Sequence, residues 1–263
     1  MATLPSRSFD LGRVLSTGFG TLFKNAVPFL AVSLVLAGLP GFFFEYWMRG
    51  AVDLFQGEPD LDFVLSWQFW GPILASILAT FVASAVLQGT LIGATVRHLS
   101  GRPAHIGQSI AGALARIVPI ILLSILVGLA IMFGLLLLIV PGIILYLMFI
   151  VSVPAMMAEG RGVTDSMSRS ADLTKGFKGM IFLLAVVLLM LGGGVSAVCS
   201  AIFGRIAEVS GDLAMDRITL SLGTLVNQTV VTAISAVVVG ALYVELRTVK
   251  EGASTEAMAE VFA

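Results

Sequence analysis

The chain has 263 residues, of which 58% are hydrophobic and 12% charged, with a net charge of -1 and a mean hydropathy of +1.03. That is about half the charge of a typical soluble domain, so a water-soluble globular protein is excluded: the polar surface is too small to cover the apolar remainder. One cysteine, Cys199, excludes an intramolecular disulfide and a cysteine-based metal site.

The opening MATLPSRSFDLGR lacks the compact basic, apolar and small-residue layout of a cleavable signal, so a mature membrane protein is expected. From Ser8 to Lys24, Leu11, Leu15, Phe19, Leu22 and Phe23 share one helical face, the pattern of an amphipathic helix lying on a bilayer. A first crossing, 26–46, ends in the aromatic group FFFEYW, as expected at a membrane-water boundary. An acidic connection follows with Asp53, Glu58, Asp60 and Asp62, and closes on Trp67, Phe69 and Trp70. It lacks the alternating ligands and central glycine of a calcium loop. The second crossing, 72–96, spaces Ala85, Gly89 and Gly93 four residues apart, so that small side chains let two helices approach closely.

A basic connection then carries His98, His105 and a weakly amphipathic helix around Ile106, Ile110, Ala113 and Leu114. Between Arg116 and Glu159 lie 42 uncharged residues, about 63 Å as helix and twice the ~30 Å hydrocarbon core. They must cross twice, as 117–140 and 143–158, with the turn expected at Pro141-Gly142. The charged stretch Glu159–Gly179 predicts another interfacial helix, capped by Thr164 and braced by an Asp165–Arg169 pair. The fifth crossing, 180–203, holds the triplet Gly192-Gly193-Gly194, and the sixth is 218–244.

The fold class is therefore all-α: one polytopic membrane domain over 1–263, with six transmembrane helices and short cytoplasmic amphipathic helices. With both termini cytoplasmic, every lysine and arginine falls inside except Arg49, Arg205 and Arg217, the asymmetry that the positive-inside rule expects. A three-fold repeat of helical hairpins also suggests itself. TLFKNAVPFL from Thr21 overlays GALARIVPII from Gly112 at an offset of 91, and GFKGMIFLL matches Lys24 with Lys178.

Several short motifs lie along the second half: Pro141-Gly142, Phe149, Pro154-Ala155, Glu159-Gly160, Arg169-Ser170 and Leu173-Thr174-Lys175-Gly176. The end of the chain adds Tyr243, Leu246-Arg247, Lys250-Glu251-Gly252 and Val261-Phe262. Together they resemble the six-helix prokaryotic family named for the membrane domain of some glycerophosphoryl diester phosphodiesterases. The resemblance implies a protein of the cytoplasmic (inner) membrane. It does not extend to the catalytic domain, because the six crossings and their connections take up the whole sequence.

For chemistry, the polar side chains expected at membrane depth are Gln88, Asn227, Gln228 and Thr229. They are either a polar path for a small solute or interhelical hydrogen bonds. Arg169, Lys175 and Lys178 are candidate contacts for anionic lipid headgroups, or cations that only fix topology. No ionisable residue falls near the centre of a predicted crossing, which argues against a proton- or ion-coupled pump. Neither a nucleophile elbow nor a phosphate-cradling loop occurs, and no catalytic, metal or cofactor residue is identified. The expected function is non-enzymatic, with membrane lipids or a cytoplasmic-face protein as partners in envelope maintenance and no role for nucleic acid. A transporter or channel for a small or lipidic substrate is the alternative.

Overall fold

The computed structural model describes residues 9–54, 65–99 and 106–252. Among the described residues the regular elements are all helices. In order they are α1 (Leu11–Lys24), α2 (Ala26–Ser33), a π-helical turn (Leu34–Gly38), α3 (Leu39–Leu54), α4 (Trp67–Leu99) and α5 (Ile106–Ala115). There follow α6 (Ile117–Leu137), α7 (Ile139–Phe149), α8 (Ser152–Glu159), α9 (Val163–Thr174), α10 (Lys178–Ser210) and α11 (Leu213–Glu251). Among the described residues, five helical segments are long and apolar enough to cross a bilayer: Ala26–Gly50, Ile117–Leu137, Ile139–Glu159, Lys178–Val209 and Leu213–Glu251. The chain is a multi-pass helical membrane protein. The predicted second crossing falls within α4, a helix of 33 residues.

Proline sets the helix boundaries. Pro28, Pro119, Pro141 and Pro154 are each the third residue of a helix, and each is preceded at three residues' distance by a break. A proline ring clashes with the carbonyl four residues earlier and offers no N–H, which ends the preceding helix. In the first turn of the next helix that missing N–H costs nothing, because no carbonyl waits for it. Asn25, Arg116 and Val151 take up the breaks at φ/ψ of -124/31, -115/17 and -103/17. Leu138 is fully extended at -167/155. Pro40 is handled differently: the helix widens ahead of it into the π turn, where the Leu39 N–H bonds to the Leu34 carbonyl.

The turn between the third and fourth predicted crossings is therefore at Leu138, not at Pro141-Gly142, which lies inside α7. Gly142 instead lets the hairpin close: a Cβ there would sit 2.9 Å from the Leu135 nitrogen, and one on Gly134 would sit 2.9 Å from Gly142 Cα.

The chain divides into two compact units. The first comprises Met1–Phe29, Ala85–Leu188 and Ala233–Ala263. Its core gathers Val14, Ile92, Leu173, Leu184, Tyr243 and Leu246. Asp10 caps α1 by accepting from the Gly12 and Arg13 N–H groups. The residues of that helix buried in the protein are Val14, Gly18, Thr21 and Leu22, and Leu11 and Leu15 of the predicted apolar face pack beside them, partly buried. Gly18 rests on α11, where a Cβ would lie 3.1 Å from Val238 Cγ2. A second cluster joins Ala85, Ile120, Leu123 and Met156. Along the same α4 stripe, a Cβ on Gly89 would meet Ala113 and Ile120 at 3.0 Å, and one on Gly93 would lie 3.9 Å from Met157 and Ser109.

The second unit comprises Leu30–Ser84 and Leu189–Thr232. Its π turn packs on α11, where a Cβ on Gly38 would collide with Thr229 Oγ1, and one on Gly41 would lie 3.2 Å from Gln228 Cγ. Two of the predicted belt aromatics meet: Trp47 of α3 and Phe69 of α4 have ring centroids 6.5 Å apart. The glycine triplet continues α10 without a break.

Candidate functional site

At the end of α8 the chain stops being apolar and must turn. Gly160 supplies the turn at φ 68, its N–H closing on the Met156 carbonyl, a conformation open to glycine at little cost. Arg116 donates to the same carbonyl at 3.4 Å, so a cation sits at the negative end of α8. The α8 C-terminus is thereby closed, and Glu159, its last residue, is the hub of a network.

Glu159 has only 8% of its side chain exposed. It accepts from Arg169 Nε at 2.9 Å, Arg161 Nε at 2.5 Å and Tyr243 Oη at 2.9 Å. Arg169 also donates to Glu251, whose other oxygen accepts from Arg247 Nε at 2.9 Å. Lys250 donates to the Asp172 carbonyl. Arg161 of the turn and Glu159, Arg169, Glu251 and Arg247 of α8, α9 and α11 thus form one chain of alternating charge, with Tyr243 buried against it. Burial disfavours the Arg169 cation, yet its hydrogen bonds to Glu251 and Glu159 outweigh that and raise its pKa further above the ordinary arginine value.

Hydroxyls hold α9 from its other side. Ser166, Ser170 and Thr174 are buried at a four-residue spacing. Ser170 Oγ donates to the Met148 carbonyl at 2.7 Å, next to the break at Val151. Carbonyls released by an interrupted helix need such donors. The predicted braces of this helix are not the ones formed: its N-cap is Gly162 without a side-chain bond, and Arg169 pairs with Glu159 and Glu251.

The network absorbs one of the three predicted headgroup cations. Arg169 is committed to carboxylates, Lys175 is exposed and Lys178 is half-buried. The four polar residues predicted at membrane depth fall in both units. Gln88 is exposed in the first unit, and Gln228 is exposed in the second. Thr229 is buried and bonded to the Leu225 carbonyl at 2.7 Å, which is helix-internal. Asn227 lines a recess, together with Ser196, Ser200 and Thr224. Glu58, Asp60, Asp62, His105, Val261 and Phe262 lie outside the described residues.

Sequence reasoning missed the network because it joins positions 82 and 84 apart. The available signal was compositional: Glu159, Arg169, Tyr243, Arg247 and Glu251 all belong to the short motifs, and Arg247 and Glu251 are one turn apart. Tyr243→Phe removes one donor from a buried carboxylate and should cost about 1.5–3 kcal/mol, read from unfolding of the detergent-solubilised protein. A loss under about 0.5 kcal/mol would mean that the arginines satisfy Glu159 without it. No family model, curated protein or solved structure matches the chain.

Proposed function

We propose that the chain is a six-span, non-enzymatic protein of the cytoplasmic membrane, with both termini inside, that binds membrane lipids or a partner protein in envelope maintenance. α4 supplies the sixth span, its 33 residues reaching about 50 Å as helix. A short helix followed by two long helical segments occurs three times, led by α1, α5 and α9, which supports the hairpin repeat and the interfacial placement of the short helices. Asn25 and Arg116, superposed by the offset of 91, take nearly the same broken-helix backbone. The third unit departs from them: it breaks at Lys175 with ψ 123. Membership of the phosphodiesterase membrane-domain family remains a proposal, supported by the gathering of Glu159, Arg169, Tyr243, Arg247 and Glu251.

One observation carries the lipid reading. Beside the network, the turn from α9 to α10 offers Lys175 exposed and Lys178 half-buried, with no ion pair to either among the described residues. Each such cation at an anionic surface contributes about 1 kcal/mol. Replacing both, Lys175→Gln with Lys178→Gln, should cut retention of anionic phospholipid by about tenfold or more in native mass spectrometry. Retention equal to that of the parent chain would dismiss headgroup binding there. The alternative, a path for a small or lipidic substrate, is favoured by the Asn227 recess.

A further inference from the structure

Between Ser124 and Tyr146 the α6–α7 hairpin carries no polar side chain. Around its break at Leu138 the residues 135–140, LLLLIV, are all exposed, Leu136 by 78% and Leu138 by 68%. Other connections of the chain are charged: the one from α3 to α4 holds Glu58, Asp60 and Asp62, and the one from α10 to α11 holds Asp212. A run of six exposed apolar side chains is not built to stand in water.

The backbone of the same tip sets the opposite limit. Leu138 is extended; its N–H bonds to the Gly134 carbonyl, and its own carbonyl accepts from the Gly142 N–H at 3.4 Å. Where one helix ends and the next begins, further carbonyls and N–H groups have no partner inside either helix. Bare hydrocarbon does not tolerate such groups. Side chains that avoid water and a backbone that needs it are both satisfied at one depth, the boundary between acyl chains and headgroups. Helix length gives that depth independently. From Arg116 to Leu137, α6 reaches about 31 Å at ~1.5 Å per residue, against ~30 Å of hydrocarbon.

We propose that the tip of the α6–α7 hairpin is a lipid-docking surface. Residues 135–140 stand among the phospholipid acyl chains of the leaflet opposite Arg116 and Glu159, and the connection does not enter the aqueous phase. α6 and α7 thus cross the hydrocarbon and stop at its far edge. α11, by contrast, carries charge beyond both edges, at Arg217 and Glu245. The proposal rests on the multi-spanning arrangement given above, and adds what meets the far end of this hairpin.

The test uses single cysteines in a Cys199→Ala chain reconstituted in vesicles of phosphatidylcholine and phosphatidylglycerol. Leu136→Cys and Leu138→Cys are compared with Leu213→Cys, a position 65% exposed beside Asp212. The tip thiols should react with membrane-permeant N-ethylmaleimide but not with a sulfonated, impermeant maleimide, to which Leu213→Cys stays open. A nitroxide on either tip thiol should collide more with oxygen than with a water-soluble nickel chelate, the reverse of one on Leu213→Cys. Tip thiols as reactive as Leu213→Cys towards the impermeant reagent place the tip in water and overturn the proposal. A tip nitroxide shielded from oxygen and nickel alike means that a second copy or another protein covers it, which overturns it too. Two tip positions keep the question open to disproof if one variant fails to fold. Impermeant reagent should reach Leu213→Cys and Lys175→Cys from opposite sides. Reaction of both from one side is a failure of the spanning arrangement, separate from the tip result.

Discussion

Arg169→Met should lower the stability of the solubilised protein by about 3 kcal/mol or more, because it leaves two carboxylates short of a partner. The side chains concerned are well covered: 17% exposed for Arg169 and 8% for Glu159. Breaking a buried pair from one side is expensive, since the remaining charge keeps its desolvation cost without its counter-ion. Glu159 retains Arg161 and Tyr243, and Glu251 retains Arg247, which holds the loss near the lower end. A double-mutant cycle with Glu159→Gln, followed by thermal unfolding, gives the coupling directly. Coupling below about 0.5 kcal/mol would show that the network adds nothing beyond individual solvation. Retention of anionic lipid through Lys175 and Lys178 should be unchanged, because Arg169 is committed elsewhere.

The second large effect is expected at Gly142→Val. The added Cβ meets the Leu135 backbone nitrogen at 2.9 Å and Leu135 side-chain atoms closer still. Backbone cannot step aside as a flexible side-chain tip can, so α6 and α7 must separate. Forced overpacking of this sort costs about 1–3 kcal/mol, and β-branching adds crowding within the helix. Gly193→Ala is the matched control: a Cβ there has nothing within 4 Å. Alanine should stabilise α10 by up to about 1 kcal/mol through helix propensity. If both variants melt like the parent chain, the α6–α7 contact is not close.

Where the sequence was read through long uncharged runs, the structure has helices at nearly the expected places, because the absence of charge over bilayer length is a strong signal. Positions of turns were harder. Pro141-Gly142 reads as a turn in isolation, but proline acts on the carbonyl four residues back, so the break falls upstream at Leu138. The face that α1 packs on the protein was not legible, since apolar periodicity ranks Leu15 and Phe19 above Gly18, which lies against Val238. Of the candidate site residues, Lys175 and Lys178 were legible as isolated cations. Arg169 was not, since Glu159 and Glu251 reach it only in three dimensions. The arrangement around Asn227 depends on which face of α10 meets it, which local sequence does not encode.

α11 is one unbroken helix of 39 residues, and its polar punctuation acts as a ruler. From Arg217 to Glu245 it measures about 42 Å at ~1.5 Å per residue, close to the ~40–45 Å that a bilayer occupies with both headgroup layers included. A membrane of that depth accepts the helix nearly upright, with a charge in each polar zone. In a thinner one the helix must lean or the lipid must stretch, at a fraction of a kcal/mol for each ångström of mismatch. Acyl-chain length alone, with no change of headgroup, should therefore shift the melting temperature of the reconstituted protein.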